Sequence, residues 1–528
     1  MAHSQKPKPT PLVNGALWAT VFLTGAEILA VEIVGARLIT PQFGVSLYVW
    51  SSLIAVTLIA LAVGYALGGP LADRRAAQGD VCLLLLAAAL ALGSVPPLTG
   101  PVLTIASDYG LRLGSLLSAG LLFTPALIAL AMITPYAVRL LARNPGRLGT
   151  AVGGVYALST TGSVLGALAT GFWLVPSIPL PRIFILLAFG LVGAAALLWV
   201  VDWMWRAWLT ALLLAGTLVA LWGTDLSIGM IGGTRGGPER FRPLFTGQSL
   251  YGEWRVVEAP DTDHTRLLLL NGIIQGGVDA SGVSIFPYSH LMERLLDAWH
   301  PAPRRLLLIG LGSGVMATSL QRTGGAPVEI DVAEIDPMAV ELAQRYFGYV
   351  PPAGPTRPGR LFIEDGRRVL NRRDRRYDAV ILDAYAAEAL PFHLLSVEAF
   401  QAVRQQLEPD GLLLINDREP AGSPASQGLQ ALTRTLRAIF PVVEVYESKT
   451  GGALDSRFVV ASLSMAVRPE SVGVTLETGP YRGRQITAGI SPIDDRDGQL
   501  LTDAFNPMEW LDAPVAEAMR EATRRYLR

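Results

Sequence analysis

The stretch that decides the fold is residues 304–383, which reads RRLLLIGLGSG at 304–314, AEID at 333–336, EDG at 364–366 and YDAVILD at 377–383. In each piece a short apolar run leads to a glycine or an acidic residue. Short apolar runs separated by helical segments predict strands buried on both faces, as in a mostly parallel sheet covered by helices. Ligands bind such sheets outside the carboxyl ends of the strands, where these glycines and acids would lie.

The runs continue beyond this stretch. Strands are predicted at 305–309, 328–335, 360–363, 377–382, 411–416, 442–447 and 457–462. Helical segments separate most of the first five, among them 337–346 and 397–407. The alternation of the two periods predicts an α/β domain with a Rossmann-like sheet of the methyltransferase type.

The composition divides the 528-residue chain in two. Only 16% of the residues are charged, against about 25% in an ordinary soluble domain. The deficit is concentrated in residues 15–222, so a membrane half precedes a soluble half. The 43 basic and 44 acidic residues nearly cancel, which leaves no global field to attract nucleic acid. One cysteine and five histidines favour neither disulfides nor a metal site.

Seven segments of the first half are long and apolar enough to cross a bilayer, which needs about 20 residues each. They are 15–39, 46–69, 81–107, 116–141, 150–176, 183–201 and 203–222. Gly162 with Gly166, and Gly64 with Gly68, have the small-residue spacing of closely packed helices. We therefore predict a multi-pass helical membrane domain.

The glycines after the first strand, Gly310, Gly312 and Gly314, indicate a ligand-binding loop. Without a Cβ, the backbone can pass close beneath a ligand. A glycine triplet is a weak signal taken alone, and a plain tight turn explains it equally well. The residues at the ends of the next two strands decide between these readings.

Glu334 ends the second strand, where an acid can accept hydrogen bonds from both ribose hydroxyls of a nucleoside. Asp365 and Gly366 follow the third strand, where the carboxylate can take a hydrogen bond from an adenine amino group. Asp365 is also placed to cap the following helix, and both roles can hold. In order and at strand ends, the glycines and the two acids predict adenosine binding.

Two further runs lie in front of this domain, QSLYGEWRVVEAP at 248–260 and TRLLLLNGIIQGG at 265–277, and they predict a hairpin around the turn 261–264. The helical run IFPYSHLMERLLDAW follows at 285–299. Together they resemble the N-terminal β-domain and gatekeeping helix of the spermidine synthase (aminopropyltransferase) family. Gln275 matches the glutamine that closes the family's Leu-Asp-Gly-x-x-Gln turn, and Tyr288 matches the tyrosine of the helix.

The resemblance covers about 248–463 and implies aminopropyl transfer from decarboxylated S-adenosylmethionine to an amine, with methylthioadenosine leaving and no metal involved. Asp383, at the end of the fourth strand, matches the catalytic aspartate of the family. A carboxylate there can hold an alkylammonium and remove its proton, which the attack requires because alkylamines are protonated near pH 7. A strand-end cap is the alternative role for Asp383. Tyr288 and Gln275 would lie over the same nitrogen.

Three departures from the family concern the substrate. Ser313 replaces the aspartate that holds the donor's amine, Ala386 replaces the second aspartate of Asp-x-x-Asp-Pro, and the Tyr-His-Glu of the helix reads Tyr-Ser-His at 288–290. Losing carboxylates disfavours putrescine as the acceptor. Asn416 and Arg418, after the fifth strand, are candidates for binding an acceptor that bears a carboxylate.

The tail adds LLTDAFNPMEWL at 500–511, which resembles a segment of the membrane-fused spermidine synthase-like proteins of bacteria, and no chemical role follows from it. A final amphipathic helix at 514–528 is predicted with Arg520, Arg524 and Arg525 on its polar side. The predicted organisation is a polar tail at 1–14, a transmembrane domain at 15–223, a linker at 224–243, a small β-domain at 244–285, the Rossmann-like domain at 286–465 and an extension at 466–528.

Two other functions stay open. Ser313 favours a methyltransferase that uses intact S-adenosylmethionine, although methyltransferases lack the β-unit. A transporter or sensor whose soluble half binds an adenosyl ligand is the third reading. The expected partners are the lipid bilayer and a small amine, with no nucleic acid, and self-association is left open.

Orientation raises a conflict. Basic residues concentrate at the N-terminus and in alternate loops, which places the N-terminus in the cytoplasm. These residues are Lys6, Lys8, Arg74, Arg75, Arg139, Arg143, Arg147 and Arg206. Seven crossings would then put the soluble half outside the cell, where an adenosyl donor is not expected. We expect an inner (plasma) membrane protein whose catalytic half is cytoplasmic.

Overall fold

A computed structural model describes residues 11–43, 47–142, 148–202, 216, 241–259, 264–322, 328–450, 453–464 and 468–527. The chain forms two compact units, residues 1–230 and residues 231–528. The linker predicted at 224–243 lies outside the described residues except for its last three.

The first unit is a set of apolar helices. They are α1 (Pro11–Phe43), α2 (Leu47–Arg74), α3 (Gln78–Ser107), α4 (Gly110–Leu141), α5 (Leu148–Ala169) and α6 (Leu180–Asp202). A π-helical turn, Thr170–Leu174, and a short helical turn, Val175–Ser177, extend α5. Within the described residues, six helices are long and apolar enough to cross a membrane, in agreement with the first six predicted segments. The seventh, at 203–222, lies outside the described residues apart from position 216.

The predicted small-residue faces do bring helices together. A Cβ added to Gly162 would lie 2.1 Å from the carbonyl oxygen of Phe22, and one added to Gly166 would lie 2.4 Å from that of Ala26. The backbones of α1 and α5 are therefore in direct contact, which is how helices pack in a membrane, where burial of apolar surface supplies little driving force. Gly64 likewise allows close contact between α2 and α4, since a Cβ added to it would lie 2.4 Å from Ala131 Cβ.

The second unit begins with an antiparallel four-stranded meander, in the order β1-β2-β3-β4. Its strands are β1 (Arg242–Gln248), β2 (Glu253–Ala259), β3 (Thr265–Leu270) and β4 (Ile273–Val278). The predicted hairpin is the β2–β3 pair. The two predicted runs nevertheless form four strands, which corrects the prediction. Asn271 and Gly272, with φ of 49° and 79°, fold the second run back on itself in the two-residue turn that this dipeptide favours.

A nine-stranded sheet forms the rest of this unit, in the order β12-β13-β10-β11-β9-β8-β5-β6-β7. The strands are β5 (Arg305–Ile309), β6 (Glu329–Glu334), β7 (Leu361–Ile363), β8 (Tyr377–Leu382), β9 (Leu407–Pro420), β10 (Val442–Ser448), β11 (Leu454–Ser462), β12 (Ser471–Thr475) and β13 (Gln485–Ile490). The helices are α7 (Pro287–Trp299), α8 (Val315–Arg322), α9 (Pro337–Phe347), α10 (Gly366–Leu370), α11 (Val397–Gln406), α12 (Gln427–Arg437), α13 (Met508–Leu511) and α14 (Ala513–Leu527).

The sheet is less parallel than the sequence predicts. Pairing is parallel from β7 to β9 and antiparallel from β9 to β12. The connection between β10 and β11 is too short for a crossover helix, so those strands must run antiparallel. In addition, β12 and β13, which lie within the extension predicted at 466–528, belong to this sheet.

Alternate residues of the central strands enter opposite cores. Leu307 and Val380 pack on one face of the sheet, and Leu308 and Ile381 pack on the other. Burial on both faces is why these strands read as continuous apolar runs. The α/β fold with a preceding β-unit and an N-terminal set of apolar helices is thus confirmed, and the carboxyl ends of β5, β6, β7 and β8 open at one edge.

Candidate functional site

The glycine loop joins β5 to α8 and is shaped by its neighbours. Gly310 has φ of 94°, and a Cβ there would lie 2.4 Å from the carbonyl oxygen of Asp383. Gly314 has φ of 76°, and its Cβ would lie 2.6 Å from Tyr349 Cβ. Gly312 also has a positive φ, 52°, but its nearest neighbour would be 3.7 Å away, at the carbonyl oxygen of Gln275. Packing thus requires glycine at the first and third positions, and the loop passes between Asp383 and strand β4.

Glu334 lies buried at the end of β6, where it organises backbone amides. Its Oε2 accepts a hydrogen bond from the N–H of Leu311 at 2.9 Å, and its Oε1 accepts one from the N–H of Asp336 at 2.9 Å. Burial raises the pKa of Glu334, while these N–H groups favour its charged form. Each carboxylate oxygen keeps a further acceptor site, so the predicted contact with ribose hydroxyls is compatible with the bonds that hold the loop.

Asp365 caps α10, as one of its two predicted roles requires. Its Oδ1 accepts a hydrogen bond from the N–H of Arg367 at 2.8 Å. Its Oδ2 lies 2.8 Å from His393 Nε2, and this hydrogen bond holds the pKa of Asp365 below its usual value. Gly366 is needed for packing, because a Cβ there would lie 2.4 Å from a methyl carbon of Ile309. The contact with His393 was not predicted.

Tyr251, in the turn between β1 and β2, lies beside these acids and was missed by the sequence analysis. Burial raises the pKa of Tyr251, and the charges of Asp336, Asp365 and Glu334 raise it further. The hydroxyl is therefore close to both predicted adenosine-binding acids, although the residue is 39% exposed.

Asp336 fastens the β-unit to the sheet, which the sequence did not reveal. Its Oδ2 accepts hydrogen bonds from Trp254 Nε1, at 2.6 Å, and from the hydroxyl of Ser249. Its Oδ1 accepts one from the N–H of Met338, as the N-cap of α9. The motif Asp336-Pro337 indicates only the cap. The other two bonds bring the turn that carries Tyr251 over the strand ends.

Asp383 lies half-buried just after the end of β8. Asn416, on the neighbouring strand β9, donates from Nδ2 to Asp383 Oδ1 at 2.8 Å. Burial raises the pKa of Asp383 to about 6, although the Asn416 hydrogen bond and the Arg418 charge lower it. A carboxylate with this pKa is ionised at neutral pH and can still take up a proton, which suits a general base.

Tyr288 and Gln275 lie around the same carboxylate and the loop that follows it. Tyr288 is in the first turn of α7, where burial and the nearby charge of Asp383 raise the pKa of its hydroxyl. The hydroxyl therefore stays protonated and can act as a donor. Gln275 Nε2 donates to the carbonyl oxygen of Ala387 at 2.9 Å, so its amide supports the loop after Asp383. The structure brings the predicted residues Asp383, Tyr288, Gln275 and Asn416 to one edge of the sheet.

Arg418 is placed at this edge between two aromatic rings. Its Cζ lies 5.3 Å from the ring centre of Tyr288 and 5.1 Å from that of Tyr385. The hydroxyl of Tyr385 donates to the carbonyl oxygen of Asn416 at 2.9 Å, which holds its ring in position. The guanidinium is therefore oriented by stacking rather than left free in solvent.

The C-terminal tail supports both sides of the site. Arg520 of α14 makes an ion pair with Glu388, in the loop after Asp383, and both side chains are buried. The sequence analysis placed Arg520 on the polar side of this helix, which is wrong, since a buried partner pulls it inward. In the segment 500–511, Asp503 pairs with Arg367 at 2.8 Å, next to Asp365.

Among the described residues, no group of three or more His, Cys, Asp or Glu side chains is arranged to hold a metal ion.

Comparisons with known proteins agree with this geometry. The family of the spermine/spermidine synthase domain matches residues 285–459. The polyamine aminopropyltransferase of Vibrio vulnificus is 27% identical over 239 residues, which are 43% of this chain and 75% of the relative. That of Alkaliphilus metalliredigens is 26% identical over 39% of this chain and 70% of the relative.

Among solved structures, the spermidine synthase of Thermotoga maritima is similar to 43% of this chain over 77% of its own, with a TM-score of 0.35 and 22% identity. Residues 285–459 are thus similar to the spermine/spermidine synthase domain, and in the same chain they follow helices that are long and apolar enough to span a membrane.

Proposed function

We propose that the protein is an integral membrane aminopropyltransferase. It transfers the aminopropyl group of decarboxylated S-adenosylmethionine to a small amine, polyamine-like or amino-acid-like, and releases methylthioadenosine. The observation that carries the proposal is the half-buried Asp383, with Tyr288 beside it. Desolvation raises the pKa of Asp383 to about 6, while the Asn416 hydrogen bond lowers it. The identity of the relatives supports the reaction type.

The donor would bind at the ends of β5, β6 and β7. The glycine loop passes beneath it, Glu334 accepts hydrogen bonds from its ribose, and Asp365 accepts one from its adenine. The ring of Tyr251 closes the same space from the β-unit. The sulfonium end of the donor would then lie toward Asp383, and the close approach of the Gly310 backbone to the carbonyl group of that residue supports this orientation.

Asp383 would bind the acceptor as an ammonium and take its proton. The neutral nitrogen then attacks the propyl carbon attached to sulfur, a new C–N bond forms, and the C–S bond breaks. The electron pair of the broken bond stays on sulfur, which becomes the neutral thioether of methylthioadenosine. Holding both substrates in line supplies much of the rate acceleration, and the proton on Asp383 passes to solvent.

A methyltransferase is the second candidate, and Ser313 is the observation that favours it. The residue is buried, and its hydroxyl faces Gly276 of β4, so a small side chain is accommodated where the resembling family has an aspartate. A donor that keeps its carboxylate would gain nothing from an aspartate there.

The two functions are separated by their by-products. The full-length protein, purified in lipid nanodiscs, is supplied with either donor and a mixture of small amines. We expect methylthioadenosine from the decarboxylated donor and no S-adenosylhomocysteine from the intact donor. The opposite pattern would establish the methyltransferase and remove the proposal.

We also propose that the catalytic unit lies on the cytoplasmic side of the plasma membrane. The basic residues at the N-terminus place that end inside, and an even number of crossings returns the chain to the same side. C-terminal fusions to a fluorescent protein and to alkaline phosphatase test this. Fluorescence without phosphatase activity is expected, and the reverse would contradict it.

A further inference from the structure

We propose that the acceptor is an amino acid, and that Arg418 binds its carboxylate while Asp383 binds its amine. This inference rests on the proposed aminopropyl transfer and narrows its acceptor from amines in general to amines that carry a carboxylate.

The first support is the way Arg418 is held. Its guanidinium lies against the rings of Tyr288 and Tyr385, at 5.3 and 5.1 Å, and Tyr385 is anchored by its bond to the backbone of Asn416. Stacking on two rings removes much of the freedom of a long side chain. An arginine ordered in this way loses less entropy when it binds a ligand than one that moves in solvent.

The second support is its lack of an anionic partner. Among the described residues, no carboxylate lies within 4.0 Å of the Arg418 guanidinium, and no hydrogen bond to it is formed. Two other arginines of this unit behave differently, because Arg457 pairs with Glu447 and Arg520 pairs with Glu388. Arg418 therefore keeps its planar set of N–H donors available, and a carboxylate matches that set with two parallel hydrogen bonds.

The third support is the position of Arg418 relative to Asp383. Asn416, which donates to Asp383, and Arg418 are two residues apart on β9, so they lie on the same face of the strand. Their Cα atoms are separated by about 7 Å, since a strand rises about 3.3 Å per residue. Arg418 is also close enough to Asp383 for its charge to lower the pKa of that carboxyl group, so a compact zwitterion would place its amine at Asp383 and its carboxylate at Arg418.

The balance of charge excludes a diamine in favour of such a zwitterion. Arg418 is the charged group that acts on Asp383, whereas the carboxylates of Glu334 and Asp365 lie on the donor side of this edge. Ala386, where the resembling family has a second aspartate, offers only a methyl group and a backbone N–H that is bonded to Ala389. The distal ammonium of a diamine would face Arg418 and be repelled, whereas a carboxylate would be attracted.

The test compares two acceptors with the same number of carbon atoms, 4-aminobutyrate and putrescine. The full-length protein in nanodiscs receives decarboxylated S-adenosylmethionine, and methylthioadenosine release is measured with each acceptor. Glycine and β-alanine extend the series to shorter chains. The variants are Arg418→Gln, which removes the charge, Arg418→Glu, which reverses it, and Arg418→Lys, which keeps the charge without the planar fork.

We expect the wild-type protein to prefer an amino acid over putrescine by at least about tenfold in kcat/KM, equivalent to about 1.4 kcal/mol. Arg418→Gln should lower kcat/KM for the amino acid by about thirtyfold or more, chiefly through KM. Arg418→Glu should reverse the preference, Arg418→Lys should recover part of the loss, and KM for the donor should stay within about twofold.

Each of the other outcomes overturns a defined part of the inference or of the proposed function. Preference for putrescine, unaffected by Arg418→Gln, would remove this inference and leave aminopropyl transfer standing. If neither the amino acids nor putrescine supported methylthioadenosine release, the proposed function would fall and the inference with it. An effect of Arg418→Gln on the KM of intact S-adenosylmethionine would assign the arginine to the donor's carboxylate instead.

A binding measurement guards against a variant that fails to fold. Methylthioadenosine should raise the melting temperature of wild-type and Arg418→Gln protein equally. Addition of 4-aminobutyrate should raise it further only in the wild type. Equal stabilisation of both proteins by 4-aminobutyrate would contradict the role of Arg418.

Discussion

The donor side of the site is organised by backbone amides, whereas the acceptor side is organised by side chains. Glu334 and Asp365 accept hydrogen bonds from the N–H groups of Leu311, Asp336 and Arg367. Asp383, by contrast, is held by the side chain of Asn416 and lies beside Tyr288 and Arg418. Backbone bonds depend on the fold, while side-chain contacts can change by single substitutions. The comparison suggests how one fold keeps its adenosyl donor and exchanges its acceptor.

Loss of the base should have the largest effect on activity. Asp383→Asn keeps the shape of the side chain and its hydrogen-bond distance to Asn416 but cannot take up a proton. We expect kcat to fall by about 10²–10⁴-fold, the usual contribution of a general base, with binding of methylthioadenosine unchanged. Steady-state kinetics and isothermal titration calorimetry measure the two quantities. A decrease of less than about tenfold would leave Asp383 as a mere strand-end cap.

The buried ion pair between Arg520 and Glu388 tests whether a distant side chain holds the loop that follows Asp383. Arg520→Met leaves Glu388 buried without its partner, and we expect a loss of about 3–5 kcal/mol in the free energy of unfolding of the soluble unit. The matched control is Arg525→Met on the same helix, whose exposed pair with Glu521 is worth about 0.5 kcal/mol at most. Chemical denaturation followed by tryptophan fluorescence compares the two. Similar losses in both variants would show that the pair does not hold the loop.

A glycine pair tests the backbone basis of the donor side. Gly310→Ala introduces a Cβ 2.4 Å from the carbonyl oxygen of Asp383 at a φ of 94°, while Gly312→Ala has open space and a φ of 52°. We expect methylthioadenosine affinity to fall by about tenfold or more in the first variant. In the second, only the cost of a strained φ remains, about 1 kcal/mol in stability. Equal affinities in the two variants would show that the close contact with Asp383 does not shape the donor site.

The smallest expected effect is on the pH profile of kcat/KM, which tests the role of Asp383 on the acceptor side. Asp383 acts as a base only when ionised, so kcat/KM for the acceptor should rise with pH through its pKa of about 6. Asn416→Leu removes a hydrogen bond that favours the carboxylate, so the rising limb should move to higher pH. The control is Gln430→Leu on α12. Asn271→Leu is not an equivalent control, because Asn271 has a positive φ in a tight turn. A limb that stays in place in Asn416→Leu would contradict the assignment of the limb to Asp383.

The features that were predicted from the sequence are those that a local hydrophobic pattern determines, namely the strands and the residues at their ends. Runs buried on both faces mark the strands, so the residues at their ends, Gly310, Glu334 and Asp383, were placed correctly at one edge. The same reasoning overestimated the parallel part of the sheet, because an apolar run has the same composition in either direction. The strands β12 and β13 were missed since their exposed residues interrupt the apolar pattern.

The sequence pattern did not predict contacts between segments that are distant in the chain. His393 meets Asp365, Trp254 meets Asp336, and Arg520 meets Glu388 only because the fold brings them together. Charge patterning alone assigned Arg520 to the exposed side of a helix. Arg418 was identified as a candidate from its place after a strand, yet its stacking between two tyrosines required the structure.

The most direct test of the account is the stoichiometry of the reaction in the purified full-length protein. With decarboxylated S-adenosylmethionine and a suitable small amine, liquid chromatography with mass spectrometry should find one methylthioadenosine for each amine that has gained an aminopropyl group. The Asp383→Asn variant, prepared in the same way, should produce both about 10²–10⁴-fold more slowly. Methylthioadenosine without an alkylated amine, or an amine that has gained only a methyl group, would contradict the central claim that this site transfers an aminopropyl group.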